Sequence, residues 1–177
     1  FLVDTSSHFD INNEVIFNTR RIKPNSTGEL HLPDQHFDLI TCFGVLHHIP
    51  NVSFVFSELY RCLKPGGYLL IREPIVSMGD SSQPRKGLTK RERGLPYKYL
   101  LKLFSNYSFA YMKTSFWSFS LLSKISRFFH DFKPFNSLFF VYIDMLFSYL
   151  TSFNKVYHRI GFLSKIGPTA IYIVIKK

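Results

Sequence analysis

Between Phe37 and Ile71 the chain reads strand, helix, glycine turn and strand again, and that order constrains the rest of the molecule. Phe37-Asp38-Leu39-Ile40-Thr41-Cys42-Phe43 is apolar on both faces, as a strand buried inside a parallel sheet should be. From Asn51 to Leu63 the residues Val52, Val55, Phe56, Leu59, Tyr60 and Leu63 recur at helical spacing. Asn51 or Ser53 serves as its N-cap. Lys64-Pro65-Gly66-Gly67 stops the helix, and Tyr68-Leu69-Leu70-Ile71 follows as a strand. Such a unit closes by a right-handed crossover, so the spacing predicts an α/β fold built on a parallel sheet.

Upstream, Phe1-Leu2-Val3-Asp4 reads as the end of a strand before the polar turn Thr5-Ser6-Ser7, and Glu14 to Thr19 as another strand. Downstream come a basic loop from Ser81 to Arg93, a helix from Leu95 to Phe104 and a strand from Tyr107 to Thr114. An aromatic stretch from Phe116 to Phe153 and a closing strand from Thr169 to Ile175 complete the order. Ligands of open α/β sheets sit outside the carboxyl ends of the strands. Those ends carry Asp4 with Thr5, Gly44 through His48, and Glu73 with Pro74. A carboxylate there can accept two ribose hydroxyls, or simply cap a turn; both readings of Asp4 stand on position alone. Cys42 and Cys62 are too few for a disulfide framework or a zinc site, which fits a reducing compartment. No metal-ligand spacing, nucleophile elbow or phosphate loop is present, so no metal is expected.

His31-Leu32-Pro33, Phe37-Asp38-Leu39-Ile40, Val45-Leu46-His47-His48-Ile49 and Leu63-Lys64-Pro65-Gly66-Gly67-Tyr68 follow one another in fixed order. In order and spacing this segment resembles the second half of a class I S-adenosylmethionine-dependent methyltransferase of the type 11-like group. The resemblance covers residues 1 to 76, with an echo in the closing strand. Glu73-Pro74, Gly87-Leu88-Thr89 and Glu92-Arg93-Gly94 are more loosely similar to a bacterial subgroup often found with glycan-assembly genes. It implies a Rossmann-like, mostly parallel sheet of seven strands with helices on both faces and one antiparallel strand near the edge. It also implies S-adenosyl-L-methionine as cofactor, with Asp4, Thr5, Leu32, Phe43 and Gly44 as the residues that bind it. Asp4 falls at the position of the family's ribose-binding acid, so the first strand and glycine loop would lie upstream of it. With Phe1 opening the chain, the expectation is an N-terminally truncated fragment, inactive on its own.

Methyl transfer from a sulfonium is an in-line displacement, to which the protein adds orientation and, for a hydroxyl acceptor, a base. His47, His48 and Glu73 are the candidate catalytic residues. The competing readings are one histidine capping the next helix with the other packed under a loop. For Glu73 they are a solvated strand-end acid, or one that orients the substrate or a loop. Tyr157-His158-Arg159 either closes over the substrate or forms a surface loop.

Charge divides the chain. Residues 1–80 hold 6 Lys/Arg and 9 Asp/Glu, a net of −3, whereas residues 81–177 hold 16 and 3, a net of +13. Lys124, Arg127 and Lys133 punctuate the aromatic stretch, and Asp144 is the only charge between Lys133 and Lys155. An Asp at the centre of a span costs about 2.5–3.5 kcal/mol, which rejects a spanning helix. A helical lid on the sheet or an interfacial amphipathic helix remains. The expected organisation is a partial methyltransferase core over residues 1–76, a basic loop, strand and helical lid over 77–155, and a closing segment and C-terminal strand over 156–177. The expected activity is cytoplasmic methyl transfer to a small-molecule, glycan or lipid-linked acceptor, with peripheral membrane contact through the lid. The alternative is a non-catalytic binding module on a degenerate methyltransferase fold, at a membrane surface or RNA. No RNA-binding signature accompanies the basic charge.

Overall fold

The computed structural model describes residues 2–3, 21–22, 24–25, 27–80, 82–128 and 133–177. In chain order these form β1 (Leu2–Val3), β2 (Arg21–Ile22), β3 (Phe37–Phe43), α1 (Val52–Cys62), β4 (Leu63–Pro74) and α2 (Tyr97–Phe104). Then follow β5 (Tyr111–Phe119), α3 (Ser120–Phe128), α4 (Leu138–Leu150) and β6 (Pro168–Lys176). β1 and β2 pair in parallel as a separate ribbon. The main sheet has the order β3-β4-β6-β5. β3 and β4 are parallel, while β6 runs antiparallel to both β4 and β5. The antiparallel strand therefore sits one place in from the edge, as the resemblance implies. Among the described residues there are six strands in two sheets, not seven in one. The expected strand from Glu14 to Thr19 lies outside the described residues.

The core follows from two patterns. α1 turns Val52, Val55 and Phe56 inward, where they share one buried cluster with Leu69 and Ile71 of β4 and with Ile171, Ile173 and Ile175 of β6. Each such side chain contributes about 1.5–3 kcal/mol when taken out of water. Asn51 does occupy the N-cap position, but its side chain donates to the Thr27 carbonyl and not to α1. The helix runs straight into β4. Leu63 pairs with Phe37 and Tyr68 with Leu39, so Lys64-Pro65-Gly66-Gly67 is a bulge inside the strand and not a separating turn. Gly66 takes φ +78° there, which suits a residue without Cβ.

The second half departs further from expectation. β5 begins at Tyr111 and continues to Phe119, so Phe116–Phe119 belong to a strand and not to the start of a helical stretch. Pairing with β6 along its whole length fixes this, from Tyr111 opposite Lys176 to Phe119 opposite Pro168. α4 packs against β5 with its polar side inward: Asp144 and Ser148 are buried, while Leu138, Phe139, Tyr142 and Tyr149 are exposed. The Asp144 carboxylate accepts the backbone N–H groups of Ser118 (2.9 Å) and Phe119 (2.7 Å). Phe147 stacks on Phe119 with ring centroids 5.3 Å apart. No helix among the described residues is long and apolar enough to cross a membrane.

Candidate active site

β3 ends at Phe43, and the chain turns at Gly44 with φ +67°, a conformation that favours glycine. The Gly44 N–H donates to the Arg72 carbonyl on β4 (2.7 Å). A short 3-10 turn, Leu46–His48, then crosses the carboxyl ends of both strands. Glu73, near the end of β4, is fully buried beneath it. Its carboxylate accepts the backbone N–H groups of Val45 (3.0 Å), Leu46 (2.8 Å) and His47 (3.2 Å). The His47 Nδ1 lies 2.8 Å from Glu73 Oε2. Four donors converging on one side chain satisfy a carboxylate that would otherwise be costly to bury. Because the carboxylate only accepts, Nδ1 carries the proton of a neutral His47 and Nε2 is left with a lone pair.

The basic loop lies over this turn. The Arg93 N–H donates to the His47 carbonyl (3.0 Å), and its guanidinium donates to the carbonyls of Ile49 (3.2 Å) and Pro50 (3.4 Å). Glu92 accepts the Thr89 N–H at 3.0 Å, half of the reciprocal pattern that Ser/Thr-x-x-Glu makes at helix starts. That hydrogen bond, assisted by the nearby His48 and His47, holds the Glu92 carboxyl below its ordinary value. Glu92 Oε1 lies 3.8 Å from His47 Nε2, and Oε2 lies 3.7 Å from His48 Nδ1. The two imidazoles sit face to tilted face, with centroids 4.0 Å apart. His48 is exposed and its Nδ1 also lies 3.3 Å from the Thr89 hydroxyl.

These elements bring His47, His48, Glu73, Phe43 and Gly44 together. Phe43 exposes its ring at the strand end, 6.4 Å from that of Tyr172. Glu73 is not a solvated acid: it holds the loop that carries the histidines. Leu32 is elsewhere, packed with Leu30 and Cys62. Asp4 and Thr5 lie outside the described residues; β1 stops at Val3. Tyr157-His158-Arg159 lies in an irregular segment at the surface, with His158 exposed. The Tyr157 hydroxyl donates to the Gly94 carbonyl (3.0 Å), and Arg159 donates to the carbonyls of Asn154, Gly167 and Pro168. Burial, with the charge of Glu73, pushes the Cys42 thiol up to about 12, which leaves it inert as a nucleophile.

Sequence reasoning missed Glu92 and Thr89 as site residues, although the Thr-x-x-Glu spacing was there to be read. It also missed Glu58 and Arg61, three apart on α1. Arg61 bridges Glu58 (2.8 Å) and Asp34, and donates to the carbonyls of Leu30 and Leu32 (each 2.8 Å). This network fixes the segment that leads into β3.

Residues 3–71 match the family described as the methyltransferase domain. Demethylmenaquinone methyltransferase from Listeria welshimeri is 29% identical over 109 residues, which is 58% of this chain and 43% of that protein. A ubiquinone/menaquinone biosynthesis C-methyltransferase from Psychromonas ingrahamii is 39% identical over 59 residues, 33% of this chain and 23% of that protein. The chain thus covers less than half the length of either curated relative. A solved S-adenosylmethionine-dependent methyltransferase from Archaeoglobus fulgidus has the same fold, with a TM-score of 0.61 at 17% identity over 99% of this chain and 74% of that one.

Proposed function

We propose that this chain is a class I S-adenosylmethionine-dependent methyltransferase that methylates a small-molecule, glycan or lipid-linked acceptor, a reading supported by the family match over residues 3–71 and by the fold. The observation that carries the reading is the Gly44–His48 turn, held by Glu73 across the ends of two parallel strands. Demethylmenaquinone is the first acceptor to try, because a relative is named for it. The residues present fit the cofactor. At Gly44 a Cβ would meet only the His47 Cε1 at 3.6 Å and an Arg72 guanidinium nitrogen at 3.9 Å, so the backbone is open to close approach. Phe43 offers an exposed apolar ring beside it. S-adenosylmethionine, when bound, supplies the electrophilic methyl group. Phe43 and Gly44 would hold it together with Asp4 and Thr5, the Asp4 carboxylate being the acceptor for its ribose hydroxyls. His47 takes the acceptor's proton at Nε2, with Glu73 fixing the tautomer; His48 closes the acceptor side.

The test is transfer of labelled methyl to demethylmenaquinol by the full chain, alongside calorimetric binding of the cofactor. His47→Gln should lower the rate about 10²–10⁴-fold without abolishing cofactor binding. Asp4→Ala should weaken cofactor binding about ten- to a hundredfold, the worth of a charge-assisted hydrogen bond. A chain that binds no cofactor and labels no acceptor would instead be the non-catalytic module.

The exposed apolar side of α4, in a half of the chain with net charge +13, supports a second element of the reading. The protein is cytoplasmic and rests peripherally on an anionic membrane. Each basic residue near such a surface contributes about 1 kcal/mol, so a handful suffices for reversible attachment. Equal sedimentation with neutral and anionic vesicles at low salt would remove this element.

A further inference from the structure

We propose that His47, His48 and Glu92 form a site for a divalent transition-metal ion, which clips the basic loop onto the ends of β3 and β4. One donor atom from each side chain lies within 4.8 Å of the other two. The two histidine–carboxylate separations, 3.7 and 3.8 Å, are too long for direct hydrogen bonds. The two run to different oxygens of the one carboxylate, and the triangle of single donor atoms, no edge longer than 4.8 Å, compares with the roughly 3.3 Å that a tetrahedral ion with ligand distances near 2.0 Å requires. Closing the triangle takes a shift of less than about 1 Å per donor, within the reach of ring rotation.

The surroundings of each donor fit ligation. His47 gives its Nδ1 proton to the buried Glu73, which aims the Nε2 lone pair outward. A carboxylate behind a ligating imidazole is the usual outer shell of a metal site, since it fixes the tautomer and raises ligand basicity. Glu73 is itself held by three backbone N–H groups, so the imidazole starts from a rigid base. Glu92 is set in place by the Thr89 N–H. The Thr89 hydroxyl lies 3.3 Å from the same His48 Nδ1, a weak hydrogen bond that an ion at Nδ1 would displace. The Arg93 guanidinium is turned away onto the carbonyls of Ile49 and Pro50.

Two imidazoles and one carboxylate select zinc, cobalt, iron(II) or manganese over magnesium and calcium, which prefer all-oxygen shells. Three protein ligands leave at least one position open, and His48 is solvent-exposed on that side. A water or an acceptor oxygen can occupy it. A metal-bound hydroxyl loses its proton more readily, so within the methyl-transfer reading, on which this clause alone rests, the ion would replace His47 as the activating group, because it occupies the Nε2 lone pair.

The experiment uses the full chain, dialysed against a chelator and titrated with Zn²⁺ or Co²⁺ alone, without cofactor or acceptor. The expected result is one equivalent bound with a Kd of about 10 μM or tighter, with visible ligand-field bands for Co²⁺. Glu92→Gln and His48→Gln should each weaken binding by about tenfold or more, while His31→Gln and His158→Gln, on exposed residues elsewhere, leave it unchanged. Circular dichroism of each variant confirms that it folds. No saturable binding up to about 100 μM ion overturns the site, as does binding that Glu92→Gln and His48→Gln leave intact. A chain that binds the ion through these residues yet transfers no methyl group keeps the site and removes the function; one that methylates without binding it does the reverse.

Discussion

Helices α1 and α4 solve the same packing problem in opposite ways. α1 buries Val52, Val55 and Phe56 and turns Ser53 to solvent. α4 buries Asp144 and Ser148 and leaves Leu138, Phe139, Tyr142, Tyr149 and Leu150 in water. α1 is held by apolar area, a non-directional force that tolerates some slippage. α4 is held by a carboxylate on two named backbone N–H groups, which fixes its position against β5 while contributing less free energy. A helix attached that way keeps its apolar side exposed, apart from the buried cluster that α1 helps to build.

The largest effect expected from this contrast is at Phe56, which is fully buried with Phe104 and Tyr107 rings each 5.0 Å away. Phe56→Ala should cost about 3–5 kcal/mol in urea unfolding. Asp144→Ala should cost less, about 1–3 kcal/mol, because two backbone donors lose their acceptor. Faster amide exchange confined to Ser118 and Phe119 would locate that loss. If Asp144→Leu were stabilising instead, α4 would be an ordinary apolar helix and the contrast would collapse.

Acid sharpens the picture from the α1 side. The Arg61 hydrogen bond, with that from the Leu30 N–H and against the cost of burial, holds the Glu58 carboxyl below its ordinary value of 4.5. A depressed folded value means that the stabilisation is fully present above the unfolded value and is lost as pH falls through the folded one. Urea midpoints should therefore drop below about pH 4.5, and Glu58→Gln should flatten that decline. An unchanged acid limb in the variant would place the sensitive carboxylate elsewhere. The smallest effect on stability belongs to the outer side of α4. Phe139→Ser, Tyr142→Ser and Tyr149→Ser should each change it by no more than about 0.5 kcal/mol. Together they should abolish sedimentation with anionic vesicles; retention of binding would move the contact off α4.

Much of the first half was legible because periodicity reports burial, and burial decides α1; β3 lies at the edge of the described sheet with Leu39 and Phe43 exposed, so its apolar run marks a strand but not one buried on both faces. Phe37 to Phe43 matches β3 residue for residue. The site was legible where its residues end a strand, Glu73 on β4 as well as those after β3. Gly44, His47 and His48 follow one strand directly, but Thr89 reaches His48 from 41 residues away, a separation no spacing rule covers. Leu32 illustrates a different limit: a motif position carries an expected contact, and what the fold adds is its packing beside Leu30 and Cys62. α4 was illegible for a third reason. With Phe, Leu and Tyr on every side, no apolar stripe stands out, and the orientation is decided by the backbone donors of Ser118 and Phe119.

The carboxylate of Glu73 also bears on how this turn could be moved between proteins. Val45, Leu46 and both hydrogen-bonding groups of His47 take their positions from one side chain on the neighbouring strand. The histidine geometry is thus encoded about 26 residues beyond the loop that displays it. Grafting residues 44–48 onto another parallel sheet without a glutamate at the end of the adjacent strand would transplant the sequence and leave the shape behind.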